Sequence, residues 1–432
     1  MPRTVHLDIH PVTRVEGHGQ LVVRASDGRV ERAEWLVPEA PRFFEAMVRA
    51  RRWDEIQPVV SRVCGICSIS HSLAAVKAVE EALGVAISDD ARMLRVLTHY
   101  SELLQSHVLH VGYLVAPDLM GAPSVVPLAQ TNLDLVKKVV GLHRAANEWS
   151  DLLAGRTTHP LTLVPGGFTR VPAPRELEGL RRRLAGLVPM ATELAEAVLA
   201  VAGAVPSFHR DTEYVALRQA GEYAFTRGDI ASSDTDESRP AGEFESVANE
   251  YVTPQSTAKW TRWHRDSYAV GALARYNLNR AELLPLASKW AGMFGLGGHC
   301  DNPYMNSVAQ LVECAQILED SQRILDSLAG RDLKDTRVEV HPAAGEGASA
   351  VEAPRGILFH RYAFDEKGVC QSANLCIPTN QNHGNLQKDI ESLVPGLLHL
   401  GQDEIRLRLE MLVRAYDPCI SCSTHFLKVR FI

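Results

Sequence analysis

No stretch of the 432 residues is apolar over the roughly 18 to 20 positions that a membrane-spanning helix needs. The opening residues, MPRTVHLDIHPVTRVEGHG, lack the charged-then-apolar pattern of a leader. The cytoplasm is therefore the expected compartment. Basic charge is not in excess: 45 Lys and Arg against 52 Asp and Glu leave a formal charge of −7, so the electrostatic footprint of a nucleic-acid binder is missing. The densest basic run, Arg181-Arg182-Arg183, falls in a helical pattern and reads as a solvated face. Eight cysteines are too few for a disulfide scaffold. Also missing are a GxGxxG after a strand, an internal repeat and a low-complexity linker. What is present is ordinary globular composition, 46% hydrophobic and 22% charged. Length alone predicts roughly two or three lobes, but without a linker the chain reads as one interwoven domain, 1–432.

The patterning predicts a predominantly α, α+β protein. Residues 4–37 read as strands, with Ser26-Asp27-Gly28 as a hairpin turn. From Asp89, apolar residues recur every three or four positions until Pro117, which is expected to stop the helix. Further helical patterns cover about 130–153, 174–204 with a break at Pro189, 256–294 and 303–329, which suggests a central bundle of long helices. Strands return in a late β segment, at 336–341 and 356–377, around turns at Gly345/Gly347 and Asp365–Gly368. An amphipathic helix at about 402–415 precedes the last motif, and 232–243 reads as a surface loop.

Two CxxC pairs stand at opposite ends of the chain. In Arg62-Val-Cys64-Gly-Ile-Cys67-Ser-Ile-Ser-His71, the apolar spacing that follows predicts a helix from near Cys67 to Gly84. Cys67 and His71 then share one helix face, and Cys64 reaches the same point. In Asp417-Pro418-Cys419-Ile-Ser-Cys422-Ser-Thr-His425, Asp417 is placed to cap a helix opening at Pro418, or to face the cavity instead. Thiolates are soft ligands suited to zinc, iron–sulfur clusters, copper(I) or nickel. A structural zinc site normally joins local loops, whereas these pairs need the completed fold to meet. That favours a catalytic or redox metal and leaves structural zinc as the rival. His299, Cys300, Cys314, Cys370, Cys376, His159, His209 and His360 are read as core or surface residues.

Taken together, the two cysteine motifs, Arg14-Val-Glu16-Gly-His-Gly, Ala353-Pro354-Arg355-Gly356 and LCIPTNQN (375–382) resemble the large subunit of nickel–iron hydrogenases, in the same order and over essentially the full length. PRFFE (41–45), APRG and the DPCISCSTH ending look most like the soluble branch coupled to NAD(P) or to sulfur reduction. The resemblance implies an enzyme that cleaves H2 heterolytically and reversibly. Cys64 and Cys419 would be terminal nickel ligands, and Cys67 and Cys422 would bridge nickel to an iron carrying carbon monoxide and two cyanides. Arg355 and Cys419 become candidates for the base, with Asp417 beside them and Glu16 as first proton carrier. For Glu16 the alternative is an ion pair with Arg14. Pro354, Pro378 and Thr379 would flank the iron's diatomic ligands, and His71 would tune a bridging sulfur. Glu45 and His425 resemble the ligands of a separate magnesium (or iron) site.

The implied partners are an iron–sulfur small subunit, flavin-containing NAD(P) reductase subunits, a maturation protease and a nickel chaperone. The chain carries Ser106 where parts of the family have an acidic residue, so Asp417 should carry the acidic character above the metals. Residues 426–432 follow the His at which the family is cut, and they are expected to be a maturation peptide or a retained tail. Two rivals remain: a hydrogen sensor of the same fold, which would share every motif, and a zinc-stabilised scaffold. Quinone-reductase relatives lack the four cysteines present here.

Overall fold

The computed structural model describes residues 4–333 and 336–424. Val5–Ile9 (β1), Gln20–Ser26 (β2) and Arg29–Leu36 (β3) form an antiparallel sheet in the order β1-β2-β3. Asp27 and Gly28 close its second hairpin, both with positive φ (52° and 75°), as a two-residue turn between right-twisted strands requires. Ser68–Leu83 (α1) follows Cys67 and ends at Gly84 in the left-handed conformation, as its pattern predicts.

Asp89–Leu109 (α2) does not stop at Pro117. It passes into a π-helical segment, His110–Val115, and then a short helix, Ala116–Leu119. The wider turns shift the register, so Pro117 falls in the first turn of the new segment, where no intrahelical N–H is needed. Leu133–Ala154 (α3) and Pro174–Ala200 (α4) come next, and α4 runs through Pro189 without interruption. The bundle is completed by Asn306–Leu328 (labelled α6 below): α2 packs on α3 and α6, and α4 packs on α3 and α6.

The segment 256–294, expected to be helical, is helical only in its second half. It begins as strand, because Glu213–Arg218 (β4) and Asp229–Ser232 (β5) form one small sheet while Asn249–Thr253 (β6) and Ser256–Arg262 (β7) form a hairpin across Pro254-Gln255. Ala258 and Trp260 are buried while Thr257 and Lys259 are more exposed, a period of two that suits a pleat better than a helix. Helix resumes only at Ala272–Asn279 (α5) and, after a 3-10 turn, at Pro285–Met293.

The late β segment is Gly345–Ala353 (β8), Gly356–Phe364 (β9) and Cys370–Cys376 (β10), an antiparallel sheet on which α1 lies. Residues 336–341 are not a strand; Val338 N–H instead donates to Gly166 O at 2.8 Å. Gly345 and Gly347 are likewise not a turn. They lie in β8 because a Cβ at either position would collide with the α1 backbone at Ala82 or Ala78. Pro378–Leu397 (α7) packs on β3 and β7, Gln402–Ala415 (α8) matches the expected amphipathic helix, and Ile420–Ser423 (α9) ends the described chain. The largest apolar core draws residues from Val5 to Ile420. Among the described residues no helix is long and apolar enough to cross a membrane.

Because the strand–helix approach leaves no room for a methyl group, Gly347→Ala should destabilise the protein by about 1–3 kcal/mol. Urea unfolding measures this, and an unchanged midpoint would contradict the packing described.

Candidate metal centre

Cys64 sits in extended backbone just ahead of α1, and Cys67 occupies the N-cap position of that helix. Cys67 N–H donates to Cys64 Sγ at 3.1 Å, the tight turn that CxxC spacing permits. From the other end of the chain, 355 positions away, Cys419 brings its sulfur to 3.6 Å from that of Cys64. Cys419 and Cys422 sulfurs touch, and Cys422 Sγ lies 3.7 Å from Val63 O. All four sulfurs are within 4.8 Å of one another and all four residues are buried. No other group of three or more His, Cys, Asp or Glu with this geometry occurs among the described residues.

Electrostatics in the cluster are asymmetric. Burial works against a thiolate, yet hydrogen bonding with Cys67 and the Arg355 guanidinium pull the Cys64 thiol below its ordinary range. Burial and the neighbouring Cys64 push Cys67 well above it. A donor set of four close, buried sulfurs beside a guanidinium fits soft metals.

The second cysteine motif is held by the N-terminal loop. Glu16 and Cys419 form an isolated β-bridge, Ile420 N–H donates to Glu16 O at 3.0 Å, and Ser421 N–H donates to Glu16 Oε2 at 3.1 Å. Gly17 is needed for this approach: its φ is +84°, and a Cβ there would sit 2.8 Å from Ile420 Cβ and Ser421 N. Glu16 is half-buried. The alternative partner expected for it, Arg14, pairs instead with Asp118 and the Leu114 carbonyl.

Asp417 does not cap a helix at Pro418. Its backbone is left-handed (φ 48°), and the helix begins only at Ile420. The carboxylate is committed elsewhere: Arg355 Nη2 donates to Oδ1 at 3.0 Å and Gln310 Nε2 donates to Oδ2 at 3.0 Å. Gln310 Oε1 lies 2.5 Å from His110 Nδ1. Arg355 occupies the tip of the β8–β9 hairpin, where Ala353 pairs with Gly356 and leaves a two-residue turn, Pro354-Arg355. Its Nη1 lies 3.5 Å from Ser106 Oγ, and its buried Nε has no hydrogen-bond partner, which leaves one N–H without an acceptor from the protein.

Thr379, at the start of α7, accepts a hydrogen bond from Cys419 N–H at 3.0 Å, which leaves its own hydroxyl proton for another acceptor. Pro378 and Pro354 are buried nearby in sequence to Thr379 and Arg355. His71 Nδ1 lies 3.1 Å from His360 Nε2, and His360 Nδ1 lies 2.7 Å from Tyr362 OH. His360, read from the sequence as an ordinary core residue, is thus the ring on which His71 rests. Glu45 is buried, and its Oε1 accepts from Leu375 N–H at 2.8 Å. His425 and residues 426–432 lie outside the described residues.

Two buried carboxylate systems were not found by sequence reasoning. Arg275, itself fully buried, donates to both oxygens of Glu313 (2.6 and 2.7 Å), to Glu352 Oε2 (3.0 Å), and to the carbonyls of Ala353 (3.0 Å) and Pro354 (3.2 Å). It therefore clamps the hairpin tip that carries Arg355. Burial would raise the Glu313 carboxyl, but Arg275 holds it at about 2, while burial pushes Glu352 up to about 7. His107 Nε2 donates to Glu313 at 2.8 Å. The second is Glu102 of α2, buried beside the first turn of α1, where burial pushes its carboxyl up to about 7. A signal existed for both: Glu102 and Glu313 are carboxylates on helix faces otherwise filled with core residues.

Comparison with known proteins agrees with this geometry. The family model described as nickel-dependent hydrogenase matches residues 42–140 and 222–425, and one described as HoxL-like matches residues 6–40. The chain belongs to the nickel-dependent hydrogenase large-subunit family. Sulfhydrogenase 2 subunit alpha of Pyrococcus furiosus is 30% identical, over 98% of this chain and 100% of that one. The NAD-reducing hydrogenase HoxS subunit beta of Cupriavidus necator is 30% identical, over 98% of this chain and 95% of that one. The crystal structure of an NAD+-reducing [NiFe]-hydrogenase in the H2-reduced state superposes with a TM-score of 0.88 at 27% identity, covering 98% of this chain and 99% of that one. The α+β, mainly helical fold expected from the sequence is that of these large subunits, and the protein is a nickel-dependent hydrogenase catalytic subunit, an oxidoreductase acting on H2.

The hydrogenase depends on Arg275 for the set of its hairpin tip, which gives a pH test. Arg275→Met leaves two buried carboxylates without their cation and should cost about 3–5 kcal/mol near neutral pH. In the variant, burial without Arg275 raises the folded-state pKa of Glu313 above its unfolded value. That contribution is then present below the unfolded pKa and lost as pH rises. In the parent, Glu313 at about 2 contributes stability above its unfolded pKa that is lost only on acidification toward 2. The variant should therefore recover part of its deficit between pH 8 and pH 5, read by urea unfolding. A deficit independent of pH would contradict the assignment.

Proposed function

We propose that Cys64, Cys67, Cys419 and Cys422 would hold a nickel–iron pair in this hydrogenase subunit, Cys64 and Cys419 as ligands of nickel alone and Cys67 and Cys422 as ligands shared with iron. The observation that carries the reading is the set of four buried sulfurs within 4.8 Å of one another, next to the Arg355–Asp417 pair. The iron would carry carbon monoxide and two cyanides, flanked by Pro354, Pro378 and the free hydroxyl proton of Thr379. When bound, the metal pair supplies the hydride acceptor and the Lewis acidity that split H2.

The protein's own groups handle the proton. Arg355 presents a buried N–H without a protein acceptor, held by Asp417. Glu16, bridged through its main chain to Cys419 and half-buried, takes the proton from the cysteine side and passes it toward solvent. His71 tunes its sulfur neighbour through a ring that is itself positioned by His360. Glu45, with His425, would hold a magnesium or iron ion close to the end of the last motif.

The four cysteines are committed to the catalytic pair, so electrons leave through a partner. We assign that role to an iron–sulfur small subunit, with flavin-containing subunits reducing NAD(P). The relatives named as NAD-reducing and sulfhydrogenase subunits support this reading. A nickel chaperone and a maturation protease that removes 426–432 would complete the site, the compartment is the cytoplasm, and residues 1–432 act as a single interwoven domain.

Infrared spectroscopy and elemental analysis of the purified complex test the centre. Nickel, iron and bands of iron-bound carbon monoxide and cyanide are expected, whereas zinc without those bands would sink the proposal. The chain separated from its partners should not reduce dyes with H2, and turnover by the isolated chain would refute the partner assignment. Glu16→Gln should slow H2 oxidation roughly 100-fold or more with metal content unchanged; unaltered turnover would remove Glu16 from the proton path.

A further inference from the structure

Helix α1 begins with a difficulty. Its N-cap residue is Cys67, whose side chain accepts no hydrogen bond from the helix. A capping side chain normally takes one of the free N–H groups of the first turn, but here the side chain is a sulfur turned into a four-cysteine cluster. The first turn is also buried: Ser68, Ile69, Ser70 and His71 are all inaccessible. Water cannot satisfy it.

The missing acceptor comes from α2. Glu102 Oε2 accepts from Ile69 N–H at 2.5 Å and Oε1 accepts from Ser70 N–H at 2.9 Å, so the two carboxylate oxygens take consecutive N–H groups of the turn. The Ser70 hydroxyl donates to Oε1 as well. That hydroxyl has a single proton, so toward His99 it is an acceptor, and His99 Nε2 donates to it at 3.3 Å. Glu102 is 1% exposed. Glu102 interacts electrostatically with Cys67 and with the Arg355 guanidinium.

We propose that Glu102 is a positioning residue for Cys67: it caps α1 from the neighbouring helix, fixes the backbone from which the Cys67 sulfur projects, and in its ionised form adds negative charge that strengthens this sulfur as an electron donor. Two physical effects act together. The N–H groups at a helix N-terminus carry a partial positive charge that would draw electron density away from an adjacent thiolate. A carboxylate on those same N–H groups offsets it, and charge-assisted hydrogen bonds of this kind are stronger and shorter than neutral ones. The arrangement frees Cys67 from the capping duty its position would otherwise impose.

The inference rests on the proposed bridging role of Cys67 and on iron-bound carbon monoxide as a reporter, so the test has one arm that needs neither. In the complete complex, Glu102→Gln cannot accept both N–H bonds. Hydrogen–deuterium exchange of the peptide containing Ile69 and Ser70 should become faster than in the parent, and exchange at the parent rate would overturn the capping role whatever metal is bound. In the second arm, the carbon monoxide band of Glu102→Gln should move to higher wavenumber, because a weaker sulfur donor leaves less electron density to share with carbon monoxide. A cap that served stability alone would speed exchange and leave the band in place, and that result would overturn the donor-strength claim. Ser70→Ala removes one hydrogen bond while retaining both N–H contacts, and should move exchange and band in the same directions by smaller amounts. It carries the test where Glu102→Gln fails to fold, and no change in either readout would then count against the proposal. Absence of carbon monoxide bands in the parent would instead be a failure of the cofactor reading.

Discussion

Four sulfurs that must all bear negative charge to hold a metal are packed within 4.8 Å of one another in a buried site. Repulsion between thiolates in a low-dielectric interior is the constraint on which the rest of the molecule depends. It is met by the Arg355 guanidinium beside the cluster and by backbone that is too well tied to yield. The Arg355 guanidinium lies beside the cysteines at the tip of a two-residue hairpin turn, braced by Asp417 and clamped from behind by Arg275. A charged side chain at a turn tip would ordinarily sample many positions. Here the turn carbonyls are occupied, so the charge stays where the sulfurs need it.

The same constraint accounts for the interweaving of the fold. The first cysteine pair lies between a sheet and the helical bundle, with α1 running away from it over β8 and β9. The second pair arrives after α8 and is pinned by a bridge to Glu16 in the N-terminal loop. Neither pair lies in a segment that folds locally around an ion. Each is positioned by elements from the far end of the chain, so the cluster exists only once the whole molecule has closed. A structural zinc site, which stabilises the loops that supply its ligands, has the opposite logic.

Much of this was legible from local chemistry. The Asp27-Gly28 hairpin, the helix from Cys67 to Gly84 and the amphipathic helix before the last motif follow from turn residues and periodicity, while the meeting of the cysteines is what the family resemblance implied. Where tertiary contacts override local preference, the pattern misled. Pro117 fails to end its helix because a π-helical stretch changes the register ahead of it, and Gly345 and Gly347 are small because α1 lies against them, not because the chain turns. Asp417 has the sequence signature of a cap but spends its carboxylate on Arg355 and Gln310. The partners of Glu102, Glu313 and Glu352 were hidden for a related reason. A single carboxylate in a helical or strand pattern says nothing of its partner, and here the partners are 33, 38 and 77 positions away.

The two carboxylates tied to the cysteine motifs show how burial divides labour between chemically identical groups. Glu16 and Glu102 each accept backbone N–H bonds from the turn after a cysteine, at Ser421 in one case and at Ile69 and Ser70 in the other. Glu16 is half-buried on a loop and uses one oxygen for its bond, so the carboxylate keeps a free edge and a route to solvent. Glu102 is sealed between two helices with both oxygens engaged. A proton carrier must exchange with water and change partners, which only the first arrangement permits. A group that fixes a ligand must do neither, and the second arrangement forbids both. The proposed roles, proton transfer for Glu16 and positioning for Glu102, thus rest on accessibility and hydrogen-bond saturation, not on residue type.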